Sequence, residues 1–275
     1  MGKLESNQLE GVSETLLIPL HYRAQESRSE SSAFKDAVAE RFHDAIDYDW
    51  AKFESKSPLG LIMPVRTAIF DAETGSFLAR LPDAVVINLG AGLDTRFYRL
   101  DNGIVHWVEL DLPGVISFRR QLGEPVIERH RLVAGSVLED VWIRDLNLDP
   151  GVRVLFVAEG LFSYFTQEEH RRIFGCLAEN FPDQEMLFQT MAPSLIGGLA
   201  HYSALSKMSA NVEVHWGLDD SRQVSSLIDP RVHFIREFPL MEGRRYDLLP
   251  DLIKQKLSPE QAMKAGKIVH VRFVG

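Results

Sequence analysis

The chain carries one cysteine, Cys176, in 275 residues. That excludes an internal disulfide and any metal site built from several thiolates. It has no excess of positive charge: 30 Lys and Arg stand against 39 Asp and Glu, a net charge of −9. A general nucleic-acid binder needs a basic surface, so that class is set aside, while a local basic pocket for an acidic small molecule is not. No apolar run approaches the roughly 18–20 residues that span a bilayer. Residues 1–11 are polar and have no apolar centre, so no secretory leader is expected. Internal repeats and low-complexity tracts are absent. No metal is expected: Asp219-Asp220 reads as a solvated acidic turn rather than a divalent-ion site. The default is a cytoplasmic enzyme or binding protein with no nucleic-acid or membrane partner.

What is present is enough apolar material for a sizeable core, 45% hydrophobic against 25% charged. The first 82 residues read as helical. The pattern predicts helices at about 13–26, 33–46 and 62–80, with Phe34, Ala37, Val38, Phe42 and Ala45 at near-helical spacing in the second. From Val85 the character changes. Short apolar runs at Val85–Leu89, Ile104–Leu110, Arg131–Ala134, Val152–Ala158 and 185–190 predict five strands. Helical segments separate them. Pro113 opens one of these, at a position where its missing N–H costs nothing. Thr166-Gln167-Glu168-Glu169 reads as a capping box ahead of another, running to about 180. This alternation implies an α/β, doubly wound, mostly parallel sheet. Residues 193–226 lose the alternation and read as a helical insertion. A helix at about 258–265 and a strand at 268–274 close the chain. The expected organisation is an N-terminal helical lid, 1–82, and an α/β domain, 83–275, of seven strands.

The informative run is Val85-Val86-Ile87-Asn88-Leu89-Gly90-Ala91-Gly92-Leu93-Asp94-Thr95-Arg96. In an open α/β sheet, ligands bind beyond the carboxyl ends of the strands, at the switch point. Gly90 and Gly92 have no Cβ, so the backbone there can turn sharply and approach a ligand closely. Asp111 falls 21 residues after Gly90, at the end of the second strand. A carboxylate at that place can accept both hydroxyl hydrogens of a ribose. Ser136 and Val137 follow the third strand and could frame an adenine. Glu159 and Gly160 end the fourth. The layout is that of a nucleoside-cofactor site. A dinucleotide fingerprint wants a third Gly where this chain has Thr95. Asp94 would repel a diphosphate, whereas an acid suits a cationic sulfonium carrying an ammonium group. This favours S-adenosylmethionine. Asp94 and Arg96 are read either as ligand contacts or as braces of the loop, and both readings stay open here.

The runs 89–96, Glu109-Leu110-Asp111-Leu112-Pro113 and Ala158-Glu159-Gly160-Leu161, with Tyr164, resemble the leucine carboxyl methyltransferase superfamily. Within it, the chain is similar to bacterial polyketide O-methyltransferases of the tetracenomycin type. The resemblance extends to Thr15-Leu16-Leu17-Ile18-Pro19-Leu20, Arg23-Ala24 and Asp47-Tyr48-Asp49, and fades in 193–245. It implies a class I methyltransferase fold, Rossmann-like, with S-adenosyl-L-methionine as cofactor. It implies that Arg66 pairs with the carboxylate of the cofactor's methionine part, Gly90 contacts that part, Asp111 the ribose, Ser136 and Val137 the adenine, and Glu159 the amino group. The protein-directed members carry Asp-Leu where this chain has Ser136-Val137. Ala91, Gly92, Asp94, Arg96, Glu109, Leu112 and Gly160 complete the expected cofactor set. Tyr22, Arg23, Tyr164, His201 and Tyr202 are the candidates for the acceptor side, and no residue is singled out as catalytic.

The expected activity is O-methyl transfer to a small natural product such as a polyketide. A carboxylate acceptor is already ionised and needs no general base, while a phenol would gain from one. The sequence offers no obligatory His–Asp pair, which leans the reading to carboxylate. Two alternatives remain: methylation of a protein's C-terminal carboxylate, and a nucleotide-sensing or NAD-dependent Rossmann protein. Against a reductase stand the missing third glycine and the lack of a Tyr-x-x-x-Lys pair. Acceptor identity and oligomeric state are not legible in the sequence.

Overall fold

A computed structural model describes residues 3–5, 11–53, 58–149, 151–196, 214–242, 254, 258–260, 262 and 266–275. In chain order these form β1 (Leu4–Glu5), α1 (Leu17–Arg28), α2 (Ala37–Ala45), β2 (Ile46–Asp47), α3 (Pro58–Arg80), β3 (Val85–Leu89), α4 (Arg96–Leu100), β4 (His106–Asp111), α5 (Pro113–Arg120), β5 (His130–Ala134), α6 (Val141–Leu146), β6 (Val154–Ala158), α7 (Gln167–Asn180), β7 (Glu185–Thr190), α8 (Val224–Leu227), β8 (Val232–Pro239) and β9 (Lys267–Phe273). β1 and β2 pair with each other. The other seven strands make one sheet in the order β5-β4-β3-β6-β7-β9-β8. β5 through β7 are mutually parallel, and β9 enters antiparallel between β7 and β8.

Strands of a parallel sheet covered on both faces read as continuous apolar runs. β3 and β6 do so, and every residue of both is buried. Alternate side chains divide between the faces. Val85, Ile87, Val154 and Phe156 pack against Trp142 of α6 and Ile173, Phe174 and Leu177 of α7. Val86, Leu155 and Val157 pack against Phe70 and Phe77 of α3 and Phe97 of α4. The second half of α3 is therefore a layer of the sheet's own packing. α1 and α2 form a separate apolar cluster with Leu93, Phe118 and Leu122, over the carboxyl ends of the strands.

Local chemistry sets the element ends. Pro113 stands in the first turn of α5. Thr166 and Glu169 make the reciprocal capping box expected for α7. The first helix starts later than its periodicity suggests, because Gly11–Leu16 is a 3-10 turn leading into Leu17. α2 starts at Ala37 rather than 33, because the Asp36 carboxylate accepts the Ala39 N–H at 2.9 Å and acts as its cap. β8 was not expected from the sequence. Half of the helical insertion at 193–226, and half of the segment at 258–265, lie outside the described residues.

Candidate functional site

The strand order reverses direction between β3 and β6, the place where an α/β sheet opens a crevice. A cavity of about 590 Å³ lies there. The loops after β3, β4, β5 and β6 form its floor, and residues of the N-terminal turn, α1 and α3 form its roof.

The β3 loop turns through Gly90 at φ +63° and Gly92 at φ +52°. A Cβ on Gly90 would lie 2.5 Å from Cδ1 of Leu161, so this loop and the one after β6 meet at a bare backbone. Asp111 ends β4. One of its carboxylate oxygens accepts the Gly92 N–H at 2.6 Å and the other the Leu112 N–H at 2.7 Å. A carboxylate has about four acceptor positions, so each oxygen keeps one for a ligand hydroxyl. Burial pushes the Asp111 carboxyl above its ordinary range, and the two N–H groups work against that shift. Ser136 and Val137 follow β5, and the Ser136 hydroxyl accepts the Leu138 N–H at 3.2 Å.

Behind this wall is a chain of buried ion pairs. Arg66 Nε donates to Glu159 at 2.7 Å, and Arg66 Nη1 to the Gln189 amide oxygen at 3.0 Å. Arg96, fully buried, donates to Asp71, to Asp94 and to the second oxygen of Glu159. Burial alone would raise the Glu159 carboxyl, but the Arg66 and Arg96 guanidiniums outweigh it and hold the group below its ordinary range. For Asp94, burial is likewise overcome, by Arg96, Arg99 and Arg23. Asn88, the one polar residue inside the β3 run, donates to both Asp94 at 2.9 Å and Glu109 at 2.8 Å. Arg23 is 3% exposed; its Nη2 donates to the Leu93 carbonyl at 2.5 Å, and its Nε has no hydrogen-bond partner among the described residues.

Of the residues named from sequence, Arg23, Arg66, Gly90, Ala91, Gly92, Asp94, Asp111, Leu112, Ser136, Val137, Glu159, Gly160 and Tyr164 line this one cavity. Arg96 and Glu109 do not; they stand behind it and brace Asp94, Glu159 and Asn88. Tyr22 is also away from the cavity lining, packed in the α1–α2 aromatic cluster beside His21 and Phe53. His201 and Tyr202 lie outside the described residues. Sequence reasoning missed Asn88, Gln189 and Asp36. A polar residue inside or closing an apolar strand, as at Asn88 and Gln189, was the available signal.

Comparison with known proteins agrees with this geometry. The family model described as leucine carboxyl methyltransferase matches residues 17–178, more than half of the chain. The tetracenomycin polyketide synthesis O-methyltransferase TcmP of Streptomyces glaucescens is 31% identical over 241 residues, covering 87% of each chain. The S-adenosyl-L-methionine-dependent methyltransferase dpfgK of Gibberella zeae is 29% identical over 258 residues, covering 86% of this chain and 85% of its own. Among solved structures, a candidate methyltransferase from Thermobifida fusca superposes with a TM-score of 0.58 at 13% identity, over 98% of this chain and 97% of that one, a likeness of fold. The sheet is that of a class I methyltransferase. The chain belongs to the leucine carboxyl methyltransferase family and is an S-adenosylmethionine-dependent O-methyltransferase.

Proposed function

We propose that this enzyme methylates a carboxylate oxygen on a small, largely apolar natural product of the polyketide kind. The cofactor half of the cavity would use Asp111 for the ribose, Ser136 and Val137 beside the adenine, Gly90 and Glu159 at the amino-acid part, and Arg66 for its carboxylate. The residues fit that group: bare backbone at Gly90, free acceptor positions on Asp111, buried acids for a cationic centre and a cation for an anionic end. Bound there, S-adenosylmethionine supplies an electrophilic methyl group on a cationic sulfur. The chain's own contribution is to hold the acceptor in line, keep water out and fix the approach distance.

The observation that carries the carboxylate reading is the chemistry of the described lining. Of its three acids, Asp94 and Glu159 are tied to arginines and held below the ordinary carboxylate range, which makes them weak bases, and Asp111, which burial raises, is the one assigned to the ribose. Burial pushes the Tyr164 hydroxyl up, and it donates to Thr15 Oγ1 at 3.4 Å. An ionised carboxylate asks no proton transfer of such a wall, whereas a phenol with a pKa of about 10 does. Ile18, Pro19, Met63, Met191 and Met241 add apolar surface to the wall. The name of the Streptomyces relative, a polyketide-synthesis O-methyltransferase, supports the acceptor class. The N-terminal segment, with the first half of α3, would serve as a lid over the cavity, which favours a small acceptor over a protein terminus, and the cytoplasm would be the site of action.

The test is methyl transfer to matched aromatic acids, phenols and C-terminal peptides, followed by mild alkali. A product that returns to the acid is the expected ester. An alkali-stable aryl ether, or turnover of peptides alone, overturns the proposal.

A further inference from the structure

Gln189 in β7 has no role in the reading above. Its side chain lines the cavity and is 9% exposed. β6 and β7 run in register with Ala158 opposite Phe188, so Glu159 and Gln189 leave adjacent strands side by side. Both receive the same guanidinium: Arg66 Nε goes to Glu159 and Nη1 to Gln189. Two contacts from two different nitrogens fix both the place and the plane of a rigid fork. Nη2 takes no hydrogen bond among the described residues. Gly160 leaves the room for this contact. A Cβ there would lie 3.2 Å from Arg66 Nη1 and 3.8 Å from the Gln189 oxygen.

The chemistry of the second acceptor matters. Glu159 is already divided between Arg66 and Arg96. A second carboxylate on Arg66 would cancel its charge, whereas an amide oxygen orients the fork and leaves the charge in place. We propose that Gln189 is a positioning residue, which holds Arg66 aimed into the cavity while leaving it cationic, so that its free edge receives a ligand carboxylate. This rests on the reading that Arg66 faces the carboxylate of the methyl donor.

Two probes separate the effects. S-adenosylhomocysteine carries the amino-acid end; 5′-methylthioadenosine is the same nucleoside thioether without it. Calorimetry on the full chain would compare both in the wild type, Gln189→Glu, Gln189→Leu and Arg66→Met. Gln189→Glu should weaken S-adenosylhomocysteine about tenfold or more and 5′-methylthioadenosine less than about twofold, the loss of one charge-assisted contact. Gln189→Leu, which loses orientation but adds no charge, should fall between Gln189→Glu and the wild type. Retained 5′-methylthioadenosine binding reports a folded nucleoside site in each variant. If both probes weaken together in both Gln189 variants, or neither changes, Gln189 is structural and the proposal is overturned. If Arg66→Met narrows the preference for S-adenosylhomocysteine while the Gln189 variants keep it, the positioning role alone fails. If Arg66→Met itself leaves the preference intact, the Arg66 reading fails and takes this inference with it.

Discussion

Gly90 shows how one missing side chain shapes the site. Its backbone sits at φ +63° and the methyl of an alanine would fall 2.5 Å from Leu161 Cδ1. The left-handed conformation costs a residue with a Cβ roughly 1–2 kcal/mol before any clash. Gly90→Ala should lower stability by about that much in urea unfolding. Because Gly90 and Leu161 both line the cavity and Leu161 must shift, the substitution should also weaken S-adenosylhomocysteine, and full affinity at reduced stability would mean that the ligand does not approach here. Asp111→Ala probes the opposite wall. It removes both acceptor oxygens and unties the Gly92 and Leu112 N–H groups, so calorimetry should find no measurable S-adenosylhomocysteine binding. Unchanged affinity would remove Asp111 from the site. Both residues were legible in the sequence, because a Gly-x-Gly turn and an acid at the next strand end obey local rules. Asn88, Gln189 and Asp36 were not. Their roles depend on partners as many as 123 positions away, as for Gln189 and Arg66, and no local pattern encodes such a pairing.

At the scale of elements, the parallel strands were the most readable part, since burial on both faces writes them as apolar runs. β8 escaped because it is an edge strand in which His233, Ile235, Arg236 and Glu237 are exposed, and these positions break the apolar run. The α1–α2 pair holds a feature that spacing alone did not reveal. His21 Nδ1 and His43 Nε2 lie 3.1 Å apart, inside a cluster with Trp50 and Phe53. Burial, then the neighbouring His43 and Arg28, lower His21 from an ordinary value of 6.5 to about 4. As pH falls, the unfolded chain therefore takes this proton first. The stability contribution of neutral His21 is intact above pH 6.5 and is lost progressively as pH falls toward 4. His21→Phe keeps an aromatic ring but cannot titrate. Urea unfolding at steps from pH 7 to 4.5 should give a shallower loss of stability for the variant. Parallel curves would mean that His21 does not couple folding to protons.

At the scale of the molecule, the question is how the N-terminal helices stay on the sheet. Part of the answer is apolar: Leu17 and Phe42 pack on Leu93 and Phe118. The other part is Asp36, whose side chain is 1% exposed. It caps α2, accepts the Thr95 hydroxyl and Arg99 Nη1, each at 2.5 Å, and lies 3.6 Å from Arg23 Nε. Arg99 in turn reaches Asp71 of α3, which also receives Arg96. One acid thus joins α1, α2 and α4, while α3 is held independently by Phe70 and Phe77 in the face of the sheet. Asp36→Asn separates the two roles of this residue, because asparagine remains a good helix cap but carries no charge. Breaking one side of a buried ionic cluster costs about 3–5 kcal/mol. That cost should fall on residues 11–53 rather than on α3 or the strands. Limited proteolysis of Asp36→Asn should therefore cut within 11–53 under conditions where β3, β6 and α3 stay protected, and S-adenosylhomocysteine binding should weaken because α1 supplies part of the roof. If the variant instead unfolds in one step with no early cleavage, the N-terminal helices are inseparable from the sheet. A lid ending at residue 82 would then be the wrong division, as the burial of Phe70 and Phe77 already argues for the part that α3 forms.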